Sequence, residues 1–428
     1  MKTRFFVITY ALCALGMANV AQAQSLTDVV RYALTFYPAI VSANAKTDAQ
    51  RADIDRARAL HMPQVSYGYT RSKYAHNDLP ASIQTNMHTP SVRLNLWSGG
   101  RIEADADRAR ALTRSNEYQE EVTRDDVALL AAEAYINWAR ALDMFVLASK
   151  NLESHLATLS DIQQIVRIDT GRRIDLAQAQ VRVDNASLTK LQRQTELYQS
   201  RQRLNRFWQD ELPSRPLGLR EALSPAGRLG QVPQTIEQAI ELVSDDLPVI
   251  ALQKTQVQAA EAAVNIAKSQ YWPLVDLTLT RQLNPVSSGL VTTTYKEDTF
   301  TQVQLTTPLY NGGATSAGVR SAVGQLTAAQ NSLSELRLLA REKAALAYQD
   351  WRNAQGRAIQ GESQARVGDK LVEGYRLQFR LGRRQLLDLL NIQVEVFGYQ
   401  SAATTAFYDE QTTRVRLFAS MGDLAKRF

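Results

Sequence analysis

The sequence predicts a mainly α-helical chain with a membrane β-barrel part, built as an internal tandem duplication. Three observations carry this prediction. The stretch PLYNGG at Pro308–Gly313 has a near copy, NLWSGG, at Asn95–Gly100. Each copy closes a run of alternating residues, the signature of a strand with two unlike faces. Each then opens a helical pattern that meets no breaker for about 70 residues.

The N-terminus is read first. Lys2 and Arg4 precede an apolar run from Phe5 to Met17 that ends in Ala21-Gln22-Ala23. This is the layout of a cleaved secretory signal, so residues 1–23 are assigned as signal peptide and Gln24 as the mature start. The single cysteine, Cys13, lies within that run after Leu12, which is not the small residue a lipoprotein signal needs. The mature chain then has no thiol for a disulfide or a thiolate metal site. The formal net charge of +6 is spread over interleaved acids and bases, with no basic face carrying aromatics, which argues against nucleic acid.

The duplication fixes the domain layout. Displaced by 210 positions, Leu26 falls on Ile236, Pro38 on Pro248, and Met62-Pro63 on Trp272-Pro273. After an insertion, Trp97-Ser98-Gly99-Gly100 meets Tyr310-Asn311-Gly312-Gly313, and Tyr135 and Trp138 meet Tyr348 and Trp351. The first repeat is placed at 24–210, a joining segment at 211–233, the second repeat at 234–422 and a short tail at 423–428. The joining segment holds Pro213, Pro216, Pro225 and Pro233 and reads as an irregular equatorial belt.

Within each repeat the order is the same. An opening helical pattern of about 38 residues stops at Pro63 or Pro273, because proline cannot continue a helix interior. A β-hairpin follows, at about 64–97 and 274–307. Val65, Tyr67 and Tyr69 share one face; Val92, Leu94 and Leu96 oppose Ser91, Arg93 and Asn95; Val275, Leu277 and Leu279 oppose Asp276, Thr278 and Thr280; Thr301, Val303 and Leu305 oppose Gln302 and Gln304. Polar loops are expected at Arg71–Thr89 and Arg281–Asp298. Runs of about nine alternating residues fit a tilted membrane strand, and also a half-buried soluble one. Gly99, Gly100, Gly312 and Gly313 mark the joints where strand becomes helix.

Beyond each joint, Ala128, Ala132, Tyr135, Ala139, Leu142 and Val146 follow a coiled-coil spacing. A helix of this length is roughly 100 Å long. Tip turns fall near Gly171 and Gly382, and a helix of about 37 residues returns from each. A returning helix and an opening helix stacked end to end match one long helix in length. Trp97, Tyr271, Trp272 and Tyr310 sit at the joints, as an interfacial belt or as local packing. His61, His76, His88 and His155 show no metal-ligand spacing, and no catalytic constellation or cofactor motif is present. No metal, no cofactor and no enzymatic activity are expected.

Four strands cannot close a barrel, and open sheet edges cannot sit in hydrocarbon. If the strands enter the membrane, several chains must share one barrel. At this point the signal peptide, the doubled layout, PLYNGG and QFRLGRRQLLDLLNIQVEVF (Gln378–Phe397) resemble the TolC family of outer-membrane channels over the whole mature chain. DTGRRIDLAQAQVRV and FRLGRRQLLDLLN are most similar to its type I secretion branch. The resemblance implies a homotrimer with a shared 12-stranded outer-membrane β-barrel, four strands per protomer, set in outer-membrane lipid and continued by a trimeric α-helical barrel into the periplasm. It implies a passive exit duct served by a periplasmic adaptor and an inner-membrane ABC exporter, or alternatively by a proton-driven pump in drug or metal efflux. A periplasmic coiled-coil adaptor or spacer is the rival of a different class.

On the family's motif, Asp388 takes the first aperture-ring position and Asn391 the second, which is acidic in the archetype. The gating links, an aromatic and an Arg on one helix pair and an Asp on the other, map to Phe379, Arg384 and Asp175. An Arg384–Asp175 charge pair is therefore expected, with one hydrogen bond missing because Phe379 has no hydroxyl.

Overall fold

The computed structural model describes residues 25–74, 83–208, 231–283, 286–287, 297–422 and 424–428. The signal peptide and most of the joining segment lie outside these residues. The elements, in order, are α1 (Leu26–Phe36), α2 (Pro38–Ala59), β1 (Gln64–Tyr74), β2 (Ile83–Trp97), α3 (Arg101–Ile168), a 3-10 turn (Thr170–Arg172) and α4 (Arg173–Leu204). The second repeat supplies α5 (Ile236–Glu241), α6 (Pro248–Ser269), β3 (Leu274–Gln282), β4 (Val286–Ser287), β5 (Asp298–Thr306), α7 (Ala314–Arg380), α8 (Leu386–Ser420) and a last turn, α9 (Leu424–Arg427). The two halves share one order of elements, with long helices of 68 and 67 residues.

The opening pattern is not one helix in either repeat. Tyr37 and Leu247 stand before Pro38 and Pro248 in extended backbone, at ψ 128° and 130°. A proline ring clashes with a preceding residue in the α region, so α1 stops at Phe36 just before Pro38, whereas α5 already stops at Glu241, ahead of Pro248. Proline then suits the first turn of the helix that follows, because its missing N–H would have no partner there. Pro63 and Pro273 do stand directly ahead of β1 and β3, as expected.

The chain forms two compact units. One comprises Pro38–Thr123 and Val243–Glu342 and contains every strand found among the described residues. The two hairpins join through β2 and β3 into one antiparallel sheet of order β1-β2-β3-β5. Register sets the faces. Val65–Val92–Leu279 form one row, Leu94–Leu277–Val303 the next, and Trp97–Val275–Leu305 the last. Arg93–Thr278–Gln302 and Asn95–Asp276–Gln304 line the other face. A bulge at Leu96 brings Trp97 into the apolar row, where strict alternation would have put Leu96. Val65, Tyr67, Val303 and Leu305 are all more than half exposed in the single chain. On the polar face Arg93 and Asn95 both donate to Asp276, which is 7% exposed.

The strands run further than the expected loops allow. β1 continues to Tyr74 and β2 begins at Ile83, pairing Arg71 with Asn86 and Lys73 with Gln84. Ladder hydrogen bonds are made by backbone, so polar side chains do not end a strand. The two-residue β4 on β2 was not legible in the sequence. Among the described residues, no strand pairs with the outer edge of β1 or of β5. At the joints Gly99, Gly100, Gly312 and Gly313 all have positive φ, between 63° and 83°. Trp97 and Trp272 pack edge to face at 6.1 Å, while Tyr310 is 87% exposed. Beside this sheet, α2 lies along the first part of α3: Thr113 donates to the Gln50 carbonyl at 3.1 Å and Arg51 pairs with Glu117 at 2.9 Å.

The other unit comprises Met1–Tyr37, Arg124–Leu242 and Lys343–Phe428. Ser25 and Asp28 form a capping box on α1, whose Leu26, Val29, Val30 and Ala33 are buried. Tyr32 meets Trp208 at 4.8 Å and Tyr37 stacks on Phe207 at 5.2 Å, tying α1 to the end of α4. The duplicated aromatics recur as pairs: Tyr135 with Trp138 at 5.5 Å, and Tyr348 with Trp351 at 5.9 Å. The α3 seam holds from Ala128 to Ala139 and then departs from the expected line. Met144 and Ala148 are buried, whereas Leu142 is half-buried and Val146 is 42% exposed. The buried stripe follows whichever helix lies alongside. Asp143, near this departure, accepts a hydrogen bond from Tyr408 of α8.

Candidate gate at the helix tip

The tip is where α3 passes to α4 and α7 passes to α8. Its two turns are built differently. After α7, the Arg383 amide donates to the Gln378 carbonyl and the Gly382 amide to the Phe379 carbonyl, both at 2.9 Å, with Gly382 at φ 70°. This is a Schellman close, which needs a left-handed residue and therefore favours glycine. Gly171 has no positive φ. It lies in the 3-10 turn, and its amide donates to the Asp169 carboxylate at 3.0 Å. Gly382 thus ends its helix in a left-handed conformation, whereas at Gly171 an aspartate cap takes that place.

Leu386, Leu389 and Leu390 bury one face of α8 against Ile162 and Phe379. Leu176, Tyr375 and Tyr399 close around this cluster. Spacings of three and four residues put those leucines together and turn Asp388 away, to the exposed side. Asp388 and Asn391, the two expected ring residues, are both exposed on α8.

The polar partners differ from those expected. Asp175 accepts from Arg172 at 2.8 Å, within its own turn. Arg384 donates to Gln378 at 2.9 Å and approaches Asp388 at 3.9 Å. The Arg384–Asp175 pair is not formed within the protomer, because each charge meets a partner three to six residues away, with little chain to order. Phe379 is 5% exposed and belongs to the apolar cluster, not to a polar link. The aromatic that meets Arg384 is Tyr375, one turn earlier, with the guanidinium 3.7 Å from its ring centre.

Apart from Asn391, the links between the two helix pairs come from residues the sequence did not single out. Arg380 of α7 pairs with Asp161 of α3 at 3.2 Å. Arg182 of α4 donates to Asn391 of α8 at 3.1 Å. Arg376 of α7 donates to Ser154 of α3 at 2.6 Å, and Gln393 of α8 donates to Ser154 and Thr158 at 3.1 and 3.0 Å. Asn391, the departure from the acidic pattern, is thus a neutral acceptor for an arginine. Each link depends on register between helices far apart in sequence, which residue spacing within one helix does not reveal. Among the described residues no cluster of three or more His, Cys, Asp or Glu is arranged to hold a metal ion. Among them, too, no helix is long and apolar enough to cross a membrane.

The arrangement has known relatives. The model of the family described as "Outer membrane efflux protein" matches residues 29–208 and 242–423, one block in each repeat. The outer membrane efflux protein BepC of Brucella suis biovar 1 is 22% identical over 407 residues, covering 94% of this chain and 86% of the relative. The outer membrane protein TolC of Escherichia coli K12 is 21% identical over 438 residues, covering 97% and 86%. Among solved structures, CusC superposes with a TM-score of 0.81 at 15% identity, covering 93% of this chain and 92% of that one. The open state of the Neisseria gonorrhoeae channel MtrE superposes with a TM-score of 0.79 at 16% identity, covering 94% and 90%. The fold is that of the trimeric channels, a helical barrel with four strands per chain given to a shared β-barrel. The chain therefore belongs to the outer membrane efflux protein family, as a passive TolC-type channel of the Gram-negative outer membrane that reaches into the periplasm and is not an enzyme.

Proposed function

We propose that this channel is the exit duct of a type I secretion system, receiving protein substrate from an inner-membrane ABC exporter through a periplasmic adaptor. The supporting observation is the tip. Its two turns carry the GRR motifs that resemble the secretion branch, and an exposed carboxylate, Asp388, follows the second of them on α8. In a trimer three such carboxylates surround the aperture, attracting cations and narrowing the passage. Arg384, Gln378 and Tyr375 hold the second turn, and the Arg182–Asn391 and Arg380–Asp161 links hold the two helix pairs together until the adaptor separates them. Substrate is not chemically changed; the protein contributes an enclosed path and a gate.

The test is a gene deletion complemented in trans. Loss of one ABC-exported protein from the medium, with unchanged susceptibility to drugs and metals, supports secretion. Normal secretion with heightened drug or metal sensitivity would assign the duct to efflux with a proton-driven pump.

A further inference from the structure

Within the polar layer of the tip links lies a buried histidine, His155, that neither the family assignment nor the gate reading uses. His155 of α3 is 2% exposed, and its Nδ1 has no hydrogen-bond partner. Ser154 and Thr158 on the same helix are bound by Arg376 and Gln393, and Gln393 is itself buried with its Oε1 unpartnered. A buried, unbonded imidazole is tolerated only when neutral, because nothing offsets the desolvation of its charged form. The charges acting on it are both positive: Arg182 from α4 and Arg376 from α7. From α8 the layer receives the uncharged Gln393 and Asn391. Nearby acids are engaged elsewhere, Asp161 with Arg380, Asp184 with Gln180 and Glu395 with Tyr399.

We propose that this layer is an acid-sensitive catch: proton uptake by His155 loosens the packing of the α3–α4 pair on the α7–α8 pair and favours the open tip. The inference rests on reading the tip as the gate. Its sign follows from linkage. Burial, with the two arginines adding to it, lowers the His155 pKa from 6.5 to about 4 in the closed layer. An opened layer with hydrated imidazole returns toward the ordinary value, so it binds a proton between these limits while the closed layer does not. The closed state therefore loses stability as pH falls below 6.5, and the loss is complete below about 4. Between about pH 7.5 and about pH 5 the opening equilibrium shifts by up to roughly 30-fold per chain.

The test uses the full-length trimer in detergent or nanodiscs. Amide-exchange protection of Ser154–Ile168 and Arg173–Ala186, corrected for intrinsic exchange, is compared at the two pH values for the natural protein and for His155→Gln. Expected is a several-fold or greater loss of protection in acid that His155→Gln removes. A second variant, Arg376→Gln, takes away one flanking charge and should reduce the pH response without abolishing it. Equal pH response in natural and His155→Gln protein, or none in either, overturns the proposal. Conductance in planar bilayers is read in parallel. Loosening without a conductance change upholds the catch and rejects the tip as the gate.

Discussion

The Arg384 guanidinium lies 3.7 Å from the centre of the Tyr375 ring while its Nε donates to Gln378. The second tip turn is therefore held from inside its own helical hairpin. A cation–π contact contributes about 0.5–1 kcal/mol at an exposed site and about 2 kcal/mol when desolvated, and this one lies between. A double-mutant cycle on Tyr375→Ala and Arg384→Ala, read by thermal dissociation of the trimer, should give a coupling of that size. The cycle on Arg384 and Asp175 should give about zero, and that on Arg172 and Asp175 about 0.3–0.5 kcal/mol. A larger Arg384–Asp175 coupling would restore the link expected from the motif.

Asp388 is the exposed acid of the α8 first turn. In planar bilayers Asp388→Ala should raise single-channel conductance or weaken block by polyvalent cations, because three carboxylates leave the aperture together. Asn391→Asp should strengthen cation block and draw Arg182 into an ion pair. Unchanged block and conductance in Asp388→Ala would remove this residue from the gate.

The two tip glycines should respond differently to the same change. Gly382→Ala forces an L-residue to φ 70° and should cost about 1–2 kcal/mol. Gly171→Ala brings a Cβ to 3.2 Å from the Asp169 carboxylate, the mobile end of a side chain, and should cost under about 0.5 kcal/mol. Equal losses in trimer melting would refute the different construction of the turns.

The joints give a similar contrast. A Cβ on Gly99 would stand 2.5 Å from the Trp272 Cβ and 3.0 Å from the Ser269 carbonyl oxygen, at φ 63°. A Cβ on Gly100 would meet nothing within 4 Å, at φ 81°. Gly100→Ala should cost about 1–2 kcal/mol, the backbone term alone. Gly99→Ala should cost clearly more, about 3 kcal/mol or above, and reduce the yield of assembled trimer.

Much of this architecture was legible because it repeats. Alternation in VSYGYT and TFTQVQLTT gave the faces of the strands, and the Gly pairs gave their junctions with the helices. Pro38 and Pro248 were visible as matched landmarks, yet their power to break a helix was outweighed by the apolar pattern running through them. The site was half legible. Asp388 and Asn391 come from the family resemblance alone; their exposure follows from the phase of one helix, where Leu386, Leu389 and Leu390 define the buried side. Arg182, Arg380 and Tyr375 acquire their roles only through packing between segments 209 or 219 positions apart, or through a turn whose path folds Arg384 back. Local spacing carries no information about either. Phe379 shows the hazard directly: a motif position for a polar link holds a residue that the core takes instead.

β1 and β5, each with an outer edge unpaired among the described residues, find their partners in other copies of the chain. The direct measurement is the protein mass of the detergent-extracted particle, by light scattering with the detergent contribution subtracted. Three chains in a particle that stays with urea-washed membranes is the predicted result; a monodisperse single chain that remains in solution without detergent would contradict it.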